Sequence, residues 1–108
     1  MIEMEERKIY YLDSLGGNGR LVIEFLNKYL QDEHLDKKGF RLPYEFTAGE
    51  TPANLPRQEN GVDCGAFVCA FGECFSRGLF PSSTLFEQKH IGYWRMRIGI
   101  SNILGKLL

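Results

Sequence analysis

Residues 63–77 restrict most what this chain can fold into, because Phe67, Val68, Cys69, Ala70, Phe71 and Phe75 spread apolar side chains around nearly every face of a helix. A helix of that kind has to be enclosed by other elements, so the core is expected to form around it. With 108 residues the chain has material for one such core and not for a second domain.

The elements that could enclose this helix are read from local pattern. Residues 1–12 predict a hairpin: Met1-Ile2, then the charged Glu5-Glu6-Arg7-Lys8, then the β-branched and aromatic run Ile9-Tyr10-Tyr11-Leu12. If it turns near Glu5 and Glu6, each residue faces its mirror image across the turn, and the partner of Asp13 is expected to precede Met1. Gly16-Gly17-Asn18-Gly19 ends the strand. Leu21, Val22, Phe25, Leu26, Tyr29 and Leu30 then follow the spacing of an amphipathic helix, predicted over residues 20–32 with that stripe facing inward. Residues 34–58 hold Pro43, Pro52 and Pro56 and predict a long surface connection whose only strand candidate is 42–46. A last amphipathic helix is predicted over 86–107, with Ile91, Trp94, Ile98, Ile103, Leu104 and Leu107 inward and Arg95, Arg97 and Lys106 exposed.

Charge and cysteine usage exclude several function classes. Thirteen basic residues against fourteen acidic ones, with no basic cluster beyond Arg7-Lys8 and Lys37-Lys38, lack the footprint of a nucleic-acid partner. No apolar run has the length of a membrane span, and three glutamates among the first six residues are incompatible with a signal peptide. Three cysteines in such a chain fit free thiols in a reducing compartment better than a disulfide framework.

Three residues could carry chemistry, and each has a bland reading beside the functional one. Cys64 opens the central helix after Gly61-Val62-Asp63, where unpaired N–H groups and the positive dipole end favour a thiolate, and Gly65 beside it lets a substrate backbone approach. The alternative is a small buried core thiol. Cys69 and Cys74 follow at steps of five, about 140° apart around the helix, which argues against a metal site and assigns both to the core. Gln58 precedes a turn at Asn60-Gly61; its amide could donate to an oxyanion beside the Cys64 N–H, or simply be solvated. Asp13 is either an Asx-turn residue or the carboxylate that orients a histidine in a Cys-His-Asp set. His34 and His90 are the two histidines of the chain; one ends a helix and the other opens the last one, so both are expected at the surface and away from Asp13 and Cys64. The strand-to-helix turn Gly17-Asn18-Gly19 superficially suggests a dinucleotide site, but Val22 stands where its third glycine belongs and no following strand supplies a ribose-binding acid.

Taken together, Tyr10-Tyr11-Leu12-Asp13-Ser14-Leu15-Gly16-Gly17 and Gln58-Glu59-Asn60-Gly61-Val62-Asp63-Cys64-Gly65 resemble the ubiquitin-like-protein-specific (SUMO-specific) cysteine proteases. The likeness continues through Phe67-Val68-Cys69, Glu73, Ser76-Arg77, Trp94-Arg95 and the final Leu107-Leu108, and is weakest over 34–56. The resemblance implies an α+β fold of the papain-like, SUMO-protease type with its N-terminal part missing, residues 1–108 being the C-terminal portion of the catalytic domain. It implies hydrolysis after the Gly-Gly terminus of SUMO, in precursor maturation and deconjugation, with SUMO or a related ubiquitin-like protein and its conjugates as partners, no cofactor, and a nuclear location. By position Cys64 matches the family's nucleophile, Asp13 its catalytic aspartate and Gln58 its oxyanion glutamine. The family's histidine lies in a His-Trp pair on the strand before the hairpin turn, upstream of Met1 here, so this chain alone is expected to be inactive. The alternative is a catalytically inactive remnant that binds a ubiquitin-like protein or another partner.

Overall fold

The computed structural model describes residues 1–106, in the element order β1 (Ile2–Glu3), β2 (Lys8–Ile9), α1 (Arg20–Lys38), β3 (Thr47–Ala48), α2 (Cys64–Ser76), a 3-10 turn (Gln88–His90) and α3 (Ile91–Leu104). Leu107 and Leu108, assigned above to the last helix and its ending, lie outside the described residues. The mixture of three helices with a small sheet is α+β. The chain divides into two compact units, one built from residues 1–13 and 17–51, the other from Ser14–Gly16 and the chain from Pro52 onward.

In the first unit the hairpin turns where expected, pairing Ile2 with Ile9 and Glu3 with Lys8. The Glu3 carboxylate accepts the N–H groups of Glu5 and Glu6 at 3.3 and 2.5 Å, satisfying turn donors that the ladder leaves unpaired. Met1 and Tyr10 add one further pair of backbone bonds, each 2.8 Å. The regular strand is shorter than predicted, because beyond Tyr10 the backbone bonds elsewhere: the Tyr11 carbonyl accepts the Thr51 hydroxyl at 3.1 Å. β3 lies parallel to β2, with Lys8 opposite Thr47 and Ile9 opposite Ala48. The strand thus falls just after the predicted 42–46, and Phe46 is buried.

Helix α1 starts where predicted but runs six residues past position 32, to Lys38, ending at Gly39 with φ 81° and an N–H bonded to Leu35 O at 2.9 Å. Lys37 and Lys38 in the last turn complement the negative end of the helix dipole. Most of the expected inward stripe is exposed, namely Leu21, Val22, Phe25, Leu26 and Tyr29, and only its last member, Leu30, is half-buried. Polar side chains fasten the helix instead, with Asn27 Oδ1 accepting the Phe46 N–H at 3.2 Å and Gln31 Nε2 donating to Tyr44 O at 2.7 Å.

The second unit is centred on α2, whose observed limits lie one residue inside those predicted at each end. Phe67, Ala70, Phe71 and Cys74 are buried, while Val68 and Cys69 are exposed, so α2 is covered on one face rather than all round. Phe67 and Phe71 meet Phe86 with ring centroids 5.8 and 6.0 Å away, and Phe86 meets Trp94 of α3 at 5.4 Å. Ile91 is buried in α3, but Ile103 and Leu104, predicted inward, are exposed. Arg97, predicted exposed, reaches Glu73 of α2 at 2.5 Å. Nor is the 34–58 segment a mere surface connection, since Leu55 and Pro56 are buried.

Candidate active site

The start of α2 is set by Asn60. Its side-chain oxygen accepts the N–H groups of Val62 and Asp63, both at 3.0 Å, bending the chain into the helix. The helical ladder then opens with Phe67 N–H to Asp63 O at 3.1 Å. Asp63 occupies the capping position without capping, so its carboxylate does not take the first-turn N–H groups. Cys64, the first residue of α2, is exposed, as is Gly65. A Cβ placed on Gly65 would meet nothing within 4 Å, leaving room for an extended chain to approach. The surroundings are those of an accessible thiol at a helix N-terminus, not of a buried core cysteine.

Gln58 is buried rather than solvated. Its backbone N–H donates to Ser14 O at 3.0 Å, its Oε1 accepts the Ser14 hydroxyl at 2.5 Å, and its Nε2 donates to Asn60 O at 2.6 Å. A carbonyl accepts only, so the Asn60 contact fixes which end of the amide carries nitrogen. One Nε2 proton is engaged by Asn60, and an amide nitrogen carries a second. The result is an oriented donor on the loop that leads into Cys64.

Asp63 was not singled out by sequence reasoning, yet it is the most heavily bonded carboxylate of the site. It is buried; Oδ2 accepts Asn60 Nδ2 at 2.6 Å and Gln88 Nε2 at 3.0 Å, and Oδ1 accepts Arg95 Nε at 2.7 Å and Arg95 Nη2. These donors, Asn60 first, then Arg95 and Gln88, hold its pKa down to about 2. Position in the sequence offered only one clue, a carboxylate at a helix start where it would ordinarily cap. Its cationic partner stands 32 residues further on, a pairing no local spacing announces.

Asp13 belongs to the other unit, where its Oδ2 accepts the Gly17 N–H at 3.1 Å, a turn contact of the kind expected from its bland reading. Both histidines have Nδ1 engaged: His34 with Phe40 O at 2.8 Å, His90 with the Glu87 N–H at 2.9 Å. Since His90 Nδ1 accepts the Glu87 N–H, the tautomer shown is the one with its hydrogen on Nε2. His90 is exposed and His34 half-buried. Of the remaining thiols, Cys74 is a core residue whose pKa is pushed up, chiefly by burial, whereas Cys69 is exposed and not the core residue expected. Among the described residues no group of three or more His, Cys, Asp or Glu side chains could hold a metal ion, and no helix is long and apolar enough to cross a membrane.

Comparison with known proteins converges on one family. The profile of the Ulp1 protease family, C-terminal catalytic domain, matches residues 1–108. A sentrin-specific protease of Caenorhabditis elegans is 39% identical over 108 residues, covering 100% of this chain and 15% of the relative. A ubiquitin-like-specific protease of Arabidopsis thaliana is 38% identical over 97 residues, 90% of this chain and 19% of the relative. Human sentrin-specific protease 2 is 38% identical over 79 residues, 71% of this chain and 13% of the relative. The chain therefore spans less than a fifth of the length of each of these relatives. With its matched profile extending over every residue, the chain belongs to the Ulp1 protease family.

Proposed function

We propose that these residues are the C-terminal portion of a papain-like catalytic domain that hydrolyses the peptide or isopeptide bond after the Gly-Gly terminus of SUMO. Cys64 is the nucleophile, Gln58 the oxyanion donor and Asp13 the carboxylate that orients the catalytic histidine. The observation that carries the proposal is an exposed thiol at the first position of α2, reached through a loop that holds a buried, oriented amide. Membership of the family and the names of the relatives support the choice of modifier.

In the reaction the histidine takes the Cys64 proton, and the sulfur attacks the terminal glycine carbonyl. The oxygen gains negative charge and is met by the Gln58 amide and the Cys64 backbone N–H. Collapse expels the amine of the lysine or peptide, which receives the proton from the histidine, and leaves a thioester. Water, deprotonated by the same histidine, then attacks the thioester and returns the thiol. The proposal assigns the base to neither histidine of this chain, whose Nδ1 atoms bond to the Phe40 carbonyl and the Glu87 N–H.

The lack of an assigned base among these residues favours a second reading, a noncatalytic module that binds a ubiquitin-like protein. SUMO carrying a C-terminal vinyl ester separates the two when offered to the chain joined to a segment supplying the histidine. Covalent capture at Cys64, lost in Cys64→Ala, is the expected result. Binding without capture would replace the protease by the binding module, and preferential capture of a ubiquitin vinyl ester would change the modifier.

A further inference from the structure

The orientation of Gln58 depends on partners that lie far from it in sequence. A run of polar contacts leads from α3 to its amide: Arg95 donates to Asp63 Oδ1, Asn60 Nδ2 donates to Asp63 Oδ2 at 2.6 Å, and the Asn60 carbonyl accepts Gln58 Nε2 at 2.6 Å. Gln88 ties the other end, its Nε2 donating to Asp63 Oδ2 at 3.0 Å while its Oε1 accepts the Glu59 N–H at 2.8 Å. The loop 58–63 is thus gripped near both ends by side chains from the turn before α3 and from α3 itself. Asn60, in the middle, passes that grip to the Gln58 amide and to the helix start at once.

We propose that Arg95, assisted by Gln88, is a positioning residue for the oxyanion donor; this rests on the reading of Gln58 given above. Asp63 is a buried anion, 7% exposed in its side chain, and its two oxygens serve donors from three residues. Removal of its cation leaves that anion short of charge compensation in a site that water reaches poorly, and such a group draws in other donors or moves toward solvent. Either response pulls on Asn60, and Asn60 holds the Gln58 nitrogen. Both Nε and Nη2 of Arg95 reach the same carboxylate, a fork that lysine cannot reproduce, so lysine restores charge but not geometry. Arg97 makes a useful comparison, because it also joins α3 to α2, through Glu73, without touching Asp63.

The Gln58 side-chain amide, followed by nitrogen-15 NMR in the full chain, reports this without requiring turnover. Arg95→Gln should accelerate exchange of the Gln58 amide protons roughly tenfold, the effect of losing about one hydrogen bond. Arg95→Lys should fall between it and the unmodified chain, and Arg97→Gln should leave the signal in place. Gln88→Leu, a change in the turn before α3, should move the signal in the same direction and covers the case in which Arg95→Gln unfolds. An unmoved Gln58 signal in folded Arg95→Gln or in Gln88→Leu, or an equal shift in Arg97→Gln, overturns the proposal. The catalytic reading of Gln58 fails on separate grounds: in the histidine-supplied protease, Gln58→Ala should lower turnover by roughly two to three orders of magnitude, and an unchanged rate would remove Gln58 from the chemistry while leaving the NMR result intact.

Discussion

Replacement of Phe67 by alanine strikes the helix that carries Cys64 one turn from its start. Phe67 is completely buried, and its ring meets those of Phe71 and Phe86 at centroid distances of 6.1 and 5.8 Å. Alanine leaves about 150 Å² less apolar surface buried, which at about 25 cal/mol per Å² amounts to about 4 kcal/mol. Loss of the aromatic pairings adds to this and partial collapse of the cavity subtracts from it, so the expected loss stays within ~3 to 5 kcal/mol. A domain of this size is stable by only ~5 to 15 kcal/mol, so the variant should be close to half unfolded at the low end of that range. Urea unfolding followed by Trp94 fluorescence, the chain having a single tryptophan, measures it. With a slope of about 2 kcal/mol per molar, the midpoint should fall by about 2 M. Val68→Ala, on the neighbouring residue that is 68% exposed, should stay within about 0.5 kcal/mol of the unmodified chain. A loss below about 1.5 kcal/mol for Phe67→Ala, or an equal loss for both variants, would refute the placement of the core on the Phe67 face of α2.

Two further outcomes are expected. The Asp63 carboxyl has a pKa of about 2 in the folded chain against an ordinary 3.8, so its stabilisation is present above pH 3.8 and is lost as pH falls toward 2; acid titration of Trp94 fluorescence should show a component in that window that Asp63→Asn lacks, and identical acid curves would contradict it. Gly19→Ala should destabilise the first unit by about 1 to 2 kcal/mol through its left-handed backbone alone, and by more because a Cβ there would sit 2.0 Å from the Tyr11 ring; Gly72→Ala, in α2 with open space around it, should be neutral or stabilising, and thermal melts of the pair would show whether the order is reversed.

Much of the local architecture was legible in the residues. The hairpin turn, the start of α1 and both ends of α2 fell within a residue of expectation, because each depends on neighbours: charged turn residues between apolar runs, a glycine cluster, the Asn60-Gly61 turn. Cys64 at a helix start and Gln58 on the loop before it were readable for the same reason. The extension of α1 was less so, since its last turns are polar and its stop, Gly39, is a backbone signal rather than a periodicity.

Amino-acid order alone determined where helices and turns begin, since these follow from contacts within a few residues, and the roles proposed for Cys64, Gln58 and Asp13 came from the motifs that resemble the family. Only the tertiary structure decided which faces pack. α1 turns Asn27 and Gln31 toward the 44–46 backbone and leaves Phe25 exposed; α2 buries Cys74 and exposes Cys69, although both lie on an apolar helix. It also decided that Asp63 answers to Arg95 and Gln88 rather than to its own helix. A hydrophobic stripe records that a face can be buried, whereas the choice among candidate faces, and of a partner 32 residues away for a buried carboxylate, is made by the neighbours that the folded chain brings within reach.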